Sequence, residues 1–365
     1  MNYRLSTIFP RKSYDDNGTE IIDINVIDPI SQLIIELAAN ITDDTDITAL
    51  AIACLEKIEL VDGSEVLFSL SGYEAEAVDW YHNHNFNSPW DVYWGGGETQ
   101  RFVRINFGRY LWDPLLAFDP KKFKNPQLKI TRNITAGGAV PDANRMQVWA
   151  ALFDQKVVAP TGFLMHKEIK DYTLTSSTHE YTDLPTDYPY RKLFIRAQKQ
   201  GTEPNSVLSN IKLSEDQDKK VIVNHGTEDI FRTIAMQSPP IEEHIHARVM
   251  TAATEIFCTP TTRCYAVADM LSATADAGTI ALDMGDGGHI HAITGTAAKY
   301  CAFFVRGWLP HGTWEIPFGL QAEIDDWYDV TKVTSLRLDT TSGAGLAGTE
   351  HVQVFLQQLR KYAAG

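Results

Sequence analysis

Two histidine pairs are the residues of this sequence that are best suited to metal chemistry. His289 and His291 are separated by one residue, as are His244 and His246. Since residues i and i+2 of a β-strand lie on the same face, both imidazoles of a pair can reach one metal ion. A protein metal site needs at least a third ligand, and the next acidic residue after the first pair is Glu315. We therefore interpret both pairs as polar loop residues and predict no metal site and no cofactor.

The other candidate motifs each lack a feature that their chemistry requires. His82–His84 lies at a predicted helix end, without the flanking acid and further histidine of a nuclease site. Gly95–Gly97 is not followed by the Lys-Ser/Thr of a phosphate loop. The acidic pairs Glu242–Glu243 and Asp325–Asp326 suit hydrolysis, but nothing distinguishes them from solvated loop or helix-cap residues. We predict that the chain is not an enzyme and has no catalytic residues.

Charge and cysteine usage restrict the class of protein further. The formal net charge is −15, which argues against a surface that binds nucleic acid or reads its sequence. No apolar run approaches the ~20 residues that span a bilayer, and the first residues lack the apolar stretch of a signal peptide. The cysteines are few and scattered, at Cys54, Cys258, Cys264 and Cys301. We expect reduced thiols in a protein made in a cytoplasm.

The extreme N-terminus differs from the acidic remainder of the chain. Arg4, Arg11 and Lys12 fall within the first fourteen residues, which contain no acid. We predict an N-terminal arm over residues 1–25. The arm is either frayed and solvated, or it meets an anionic surface such as lipid headgroups or a neighbouring subunit.

The elements that must position these residues occur twice in the chain. In each half, an alternating strand pattern leads through an acidic turn to a second strand pattern and an acidic helix start, and a third alternating segment follows later. Alternation places one face of each strand inward. Ser71 and Glu74 have the spacing of a capping box and predict a helix over about residues 73–84, whose counterpart begins near Thr227. The matching strand segments are residues 57–60 and 210–213, 65–68 and 220–223, and 127–130 and 335–338.

Many short strands with long connections predict an all-β fold with a few short helices, arranged as two tandem jelly-roll β-sandwiches. We place jelly roll 1 at residues 26–156, a linker rich in proline and polar residues at 157–189, and jelly roll 2 at 190–365. The second copy is longer between matching strands, so it carries an inserted β-rich excursion at about residues 237–299. The strands that open the two copies are predicted at residues 34–37 and 193–196.

Short segments in both halves carry a resemblance to a known family. Phe107–Pro114 and Val305–Pro310 are assigned to the same point of each copy, and Ile316–Gly319 follows in the second. With two tandem jelly rolls, each with a helix after its fourth-strand region, the chain resembles the double jelly-roll major capsid proteins of tailless icosahedral viruses. That is the lineage of adenovirus and the membrane-containing tailless phages. The resemblance is architectural and covers about residues 26–365.

The resemblance implies a structural role in a virion. It implies pseudo-hexameric homotrimers that build the icosahedral shell of a tailless, lipid-containing virus such as a bacteriophage, after synthesis in the host cytoplasm. The implied partners are neighbouring capsomers, other capsid proteins such as a vertex penton, and an internal membrane reached through the N-terminal arm. The excursion would form an outward tower. Two tryptophan groups are predicted to meet between chains of the trimer: Trp80, Trp90, Trp94 and Trp112 from the first half, and Trp308, Trp314 and Trp327 from the second.

Two other functions are compatible with the same strand pattern. A tandem jelly-roll enzyme or glycan-binding protein, such as an amidase of the peptide:N-glycanase kind, is normally secreted, and the sequence begins without a signal peptide. A bicupin metalloenzyme depends entirely on the two histidine pairs. The tandem repeat, combined with the lack of a convincing active site in the sequence, favours the capsid protein.

Overall fold

The chain is mostly β-strand, as the alternating segments predict, and it forms two jelly rolls in tandem. The computed structural model describes residues 1–44, 46–85, 91–137, 141–271, 280–285, 287–295, 297–344, 346, 348 and 350–363. The predicted fold class, all-β with a few short helices, is confirmed. Within the described residues, the helices are too short or too polar to cross a membrane.

The first jelly roll comprises two sheets that bury a shared core. One sheet has the strand order β1-β9-β3-β7, and the other begins β2-β8-β4-β5. Strict alternation buries Val103 and Ile105 on β7, and Leu128 and Ile130 on β8. The elements are β1 (Tyr3–Tyr14), β2 (Gly18–Asp23), β3 (Ile30–Ile41), β4 (Leu55–Asp62), β5 (Glu65–Leu70), α1 (Gly72–Asn83), β6 (Val92–Tyr93), β7 (Glu98–Asn106), β8 (Pro126–Arg132) and β9 (Pro141–Phe153).

The second jelly roll repeats this topology strand for strand. Its sheets have the orders β10-β23-β12-β21 and β11-β22-β13-β14, with β10 in the place of β1 and β14 in the place of β5. The elements before the excursion are β10 (Gly162–Thr173), β11 (His179–Leu184), β12 (Tyr190–Gln198), α2 (Pro204–Val207), β13 (Leu208–Glu215), β14 (Lys220–Gly226) and α3 (Thr227–Gln237).

The excursion separates α3 from the last strands of the second jelly roll. It forms two small sheets, ordered β17-β20-β15-β6 and β16-β19-β18. The first of these includes β6 of the first copy, which pairs in parallel with β15. The remaining elements are β15 (Ile241–Val249), β16 (Thr254–Phe257), β17 (Pro260–Met270), β18 (Ile280–Gly285), β19 (His289–Thr294), β20 (Lys299–Pro310), β21 (Thr313–Pro317), β22 (Leu336–Ser342) and β23 (His351–Lys361).

The predicted N-terminal arm is replaced by two strands. Residues 1–25 contain β1, which pairs along β9, and β2, which pairs along β8. The basic residues meet acids of the same jelly roll, since Arg4 lies 2.9 Å from Asp28 and Arg11 lies 3.1 Å from Glu36. β1 is an edge strand that exposes much of its length, and an edge strand needs little apolar alternation. Its sequence therefore looks like an arm.

The predicted linker is also built from strands. Residues 157–189 contain β10 and β11, so the second jelly roll begins near residue 162 rather than 190. The segments at 34–37 and 193–196 consequently lie on the third strand of each copy, not the first. β10 is buried at consecutive positions from Gly162 to His166 and half-buried or exposed beyond them, so no alternation marks its buried start.

The excursion ends later than predicted. Its strands run from Ile241 to Pro310, beyond the expected limit at residue 299, because β20 continues to Pro310. Val305–Pro310 therefore belongs to the excursion and is not the counterpart of Phe107–Pro114. Phe107 directly follows β7, and its counterpart after β21 is Phe318.

Candidate functional site

The junction between the two jelly rolls combines strand pairing with side-chain contacts. β5 of the first copy pairs in parallel with β10 of the second, with Phe68 opposite His166 and Ser69 opposite Lys167. This pairing joins two four-stranded sheets into one sheet of eight strands. The Phe68 and His166 rings lie 5.5 Å apart across the pair. The two copies are therefore held together by backbone hydrogen bonds as well as by side chains.

Helix α1 lies inside this junction. It begins with the predicted capping box, in which the Ser71 backbone N–H donates to Glu74 Oε2 at 2.7 Å. Nearly every residue from Gly72 to Tyr81 is buried, although a helix at a protein surface buries only one stripe. At its end, Tyr81 Oη donates to the Thr313 carbonyl at 2.6 Å, which links α1 to the second copy.

A buried arginine joins α1 to the excursion. The Arg101 guanidinium is fully buried and lies 2.8 Å from Glu243, 3.0 Å from Asp91 and 3.4 Å from Glu76. Glu243 also accepts a hydrogen bond from Thr259 Oγ1 at 2.9 Å. These carboxylates come from α1, from the segment before β6 and from β15. One cation therefore ties the first jelly roll to the excursion of the second.

The electrostatics of this cluster follow from its burial. Burial opposes the charge on Arg101, but the Asp91 and Glu76 carboxylates outweigh it and raise the pKa of Arg101 well above its usual value. Burial raises the pKa of Glu76 and of Glu243, and Arg101 opposes both shifts. His311 Nε2 lies 2.7 Å from Glu76 Oε2, and burial lowers the pKa of His311 well below its usual value. The cluster is closed to solvent, which suits a brace rather than a substrate site.

A second ion pair holds α1 against its own jelly roll. Arg104 Nε on β7 donates to Asp79 Oδ1 at 2.8 Å, and the Arg104 backbone N–H donates to Asp79 Oδ2 at 3.0 Å. Burial raises the pKa of Asp79 to about 7, although the Arg104 charge acts in the opposite direction. Both faces of α1 are thus committed to contacts within the chain.

The corresponding helix of the second copy is open. α3 buries only Thr227, Ile230, Phe231 and Ile234, and its Met236 side chain is 81% exposed. Beside it, β14 is the last strand of its sheet, whereas β5 has β10 as a further neighbour. An apolar-lined groove of about 570 Å³ runs between α3, β14 and β21. Its apolar lining consists of Val223, Ile230, Ile234, Ile316 and Pro317.

The first predicted histidine pair gains a third ligand that the sequence does not reveal. His289 and His291 lie on β19, next to Glu255 on β16, and one ligand atom from each lies within 4.8 Å of the other two. Glu255 precedes the pair by more than 30 residues and reaches it because Glu255 is the register partner of His291. Strand pairing rather than local spacing brings this acid to the histidines.

The second histidine pair has a different environment. His246 stacks on Trp94 with ring centroids 5.9 Å apart, and His244 lies 5.1 Å from the Phe304 ring. Among the described residues, neither joins a group of three metal-ligating side chains. Both pairs lie in the excursion, outside the two sandwiches.

The other predicted candidates are dispersed over the structure. His82 is half-buried on α1 with both ring nitrogens shielded from solvent, and His84 caps that helix in the left-handed conformation, as the predicted helix end requires. Glu242 is exposed opposite Arg306, whereas its neighbour Glu243 belongs to the buried Arg101 cluster. Gly95–Gly97 forms a turn. Asp325–Asp326 lies in a short 3₁₀ helix.

The two tryptophan groups are largely occupied within the chain. Trp80, Trp314 and Trp327 are buried. Trp94 packs on His246 and Tyr300, Trp112 on Tyr3 and Phe153, and Trp308 on Phe231. Trp90 lies outside the described residues. Tryptophan content thus does not locate a surface between chains.

Comparison with solved structures identifies the architecture. The STIV major capsid protein covers 99% of this chain and 97% of its own, with a TM-score of 0.58 and 10% identity. The major capsid protein of bacteriophage PM2 covers 100% of both chains, with a TM-score of 0.56 and 9% identity. The chain has the double jelly-roll fold of these capsid proteins.

Further matches agree, while sequence comparison finds none. A chain of the PBCV-1 virus capsid covers 98% of this chain and 94% of its own, with a TM-score of 0.58 and 9% identity. No protein-family model and no curated protein matches the sequence. The fold similarity spans the whole chain, including the strands at residues 3–23 that the sequence analysis assigned to an arm.

Proposed function

We propose that this chain is a major capsid protein that assembles as a homotrimer with a pseudo-hexameric outline and forms the icosahedral shell of a virus. The fold that it shares with capsid proteins over its full length supports this role. The observation that carries the proposal is the difference between the closed junction at α1 and the open one at α3. The protein is accordingly a component of the virion.

The strand topology indicates how the chains would meet. β1 and β10 hold equivalent positions, as do β5 and β14. Within the chain, β5 pairs with β10. Among the described residues, β14 and β1 each have a strand neighbour on one side only. A parallel pairing of β14 with β1 of the next chain would therefore reproduce the internal junction between subunits.

Three repetitions of this contact close a ring. The contact is head-to-tail, because the second copy of one chain meets the first copy of the next, and such contacts form rings when their rotation closes. Two similar sandwiches in each of three chains give six similar wedges. Both surfaces expose apolar side chains among polar ones, including Leu5 on β1, which is 62% exposed, and Met236 on α3. Apolar surface of this kind is what a permanent interface buries.

The remaining partners follow from the shell role. Neighbouring capsomers and a vertex protein are needed to complete an icosahedron. We do not propose membrane contact through residues 1–25. β1 and β2 make these residues part of the first jelly roll, and their basic side chains pair with acidic ones. The bicupin alternative gains no support, since both histidine pairs lie outside the sandwiches.

Light scattering and negative-stain electron microscopy of the purified chain test the proposal. We expect a species of three 40.8 kDa chains with a hexagonal outline. A chain that stays monomeric at micromolar concentration would overturn it.

A further inference from the structure

We propose that His289, His291 and Glu255 form a binding site for a divalent transition metal of the zinc class in the excursion. His289 Nε2 lies 3.6 Å from Glu255 Oε2, and His291 Nε2 lies 3.9 Å from Glu255 Oε1. The rings of the two histidines are perpendicular, with centroids 4.3 Å apart. The three side chains thus converge from β16 and β19 on one point. This site is independent of the capsid role.

Two unpartnered nitrogen atoms point to a ligand at this position. His289 Nε2 and His291 Nε2 are both buried, and neither has a hydrogen-bond partner. Glu255 is the nearest carboxylate, but it lies beyond hydrogen-bond distance of both atoms. A buried polar atom without a partner is unfavourable by about 1–3 kcal/mol. Two such atoms side by side are best explained by an ion that both of them bind.

The spacing of the ligand atoms suits a tetrahedral ion. With metal–ligand bonds of about 2.0–2.1 Å, ligand atoms around a tetrahedral centre lie about 3.3 Å apart. The two nitrogen–oxygen distances, which run to different oxygens of Glu255, exceed this by less than 1 Å. One ligand atom from each residue lies within 4.8 Å of the other two, so rotations of the side chains would bring the three atoms to tetrahedral spacing. Two imidazoles and one carboxylate are a donor set that zinc accepts, with water or an external ligand in the fourth position.

The surroundings hold the ligands in place. His289 is mostly buried, with its ring 6.3 Å from Phe257, while His291 and Glu255 are about two-fifths exposed. Gln200 Nε2 donates to Glu255 Oε2 at 3.2 Å, which orients the carboxylate from the end of the second jelly roll. The ion would tie β16 to β19 and stiffen the smaller sheet of the excursion.

Metal titration of the full-length protein tests the site. The chain is freed of metal with a chelator and titrated with Zn²⁺ against a chromophoric competitor, and with Co²⁺ for its visible absorption. We expect one ion per chain and the intense visible bands of four-coordinate Co²⁺. His289→Gln, His291→Gln and Glu255→Gln should each weaken Zn²⁺ binding by more than about tenfold.

The second histidine pair supplies the matched control. The double variant His244→Gln, His246→Gln changes the same residue types on another strand of the excursion and should keep both the affinity and the spectrum. Circular dichroism of every metal-free variant establishes that it folds. The proposal is overturned if the parent chain binds no Zn²⁺ below millimolar concentration, or if the control loses binding as fully as the site variants do.

Discussion

Helices α1 and α3 follow equivalent strands in the two copies, yet their surroundings differ. α1 is buried almost completely, between its own jelly roll and the second one. α3 buries one apolar stripe and leaves the rest of its surface open beside the free edge of β14. Since the two copies have the same topology, the difference in burial between α1 and α3 arises from what packs against each helix. The first copy meets the second copy of its own chain, and the second meets no described element of its own chain at this place.

The sequences of the helices fit these two environments. α1 carries Glu76 and Asp79, which are buried and paired with Arg101 and Arg104. Buried charges are tolerated only with such partners. α3 has no equivalent buried ion pair among its described contacts, and its outer face carries Arg232 and Met236. A closed junction within one chain can rely on fixed charges, whereas a junction between chains relies more on apolar surface.

The largest effect is expected where the closed junction loses its buried cation. Arg101→Met should destabilise the chain by about 3–5 kcal/mol, because three carboxylates then stay buried without their cation. Urea unfolding measures the change. Arg306→Ala is the matched control, since the Arg306 pair with Glu242 is exposed at 3.7 Å and should contribute less than about 1 kcal/mol. Equal losses in the two variants would contradict a special role for the buried cluster.

A smaller effect is expected at the open junction, and on assembly rather than on folding. Met236→Asp places a charge on the exposed face of α3 and should weaken the trimer by about 10- to 100-fold, or about 1.4–2.7 kcal/mol per contact. Light scattering over a dilution series measures this. Ile21→Asp is the control, because Ile21 is an exposed residue of β2. β2 is the edge strand of the eight-stranded sheet that lies opposite β21, the strand beside α3. If both variants dissociate alike, α3 is not the contact.

The repeat itself was predictable from the sequence, whereas its limits were not. The segments around Ile58 and Ile211 alternate because each strand has one face in the core and one outside. β1 and β10 could not be recognised from alternation, for opposite reasons. β1 is an exposed edge strand, whereas the start of β10 is buried on both faces. Local periodicity cannot reveal either case.

Long-range register explains what the sequence could not show of the sites. Glu255 reaches His291 through the pairing of β16 with β19, and Arg101 reaches Glu243 across 142 positions of the chain. Neither spacing is a motif, since only the fold makes these residues neighbours. The capping box at Ser71, by contrast, involves residues three apart and was predicted correctly.

At the closed junction we expect a smaller effect, a dependence of the free energy of unfolding on pH. Burial, with Arg191 and Lys192 nearby, lowers the pKa of His166 at the β5–β10 pairing to about 3. The unfolded chain therefore takes up a proton below about pH 6.5 that the folded chain refuses, so stability is lost as the pH falls. This residue should contribute a slope of up to about 1.4 kcal/mol per pH unit between pH 6 and 4.

The slope is measured as the free energy of unfolding against pH. His166→Gln should reduce it, while the exposed His351→Gln should leave it unchanged. If His166→Gln keeps the parental slope, as His351→Gln should, then His166 is not a neutral residue of a closed junction.

The central claim, that β14 of one chain pairs with β1 of the next as β5 pairs with β10, is tested most directly by a cross-link. Phe68 lies opposite His166 within the chain. The register of the equivalent strands places Val223 where Phe68 stands and Leu5 where His166 stands. The double variant Val223→Cys, Leu5→Cys should therefore form disulfides between chains on mild oxidation and yield a covalent trimer on a non-reducing gel. Each single variant should stay monomeric on that gel. A double variant that also stays monomeric, although the protein is trimeric in solution, would contradict this pairing.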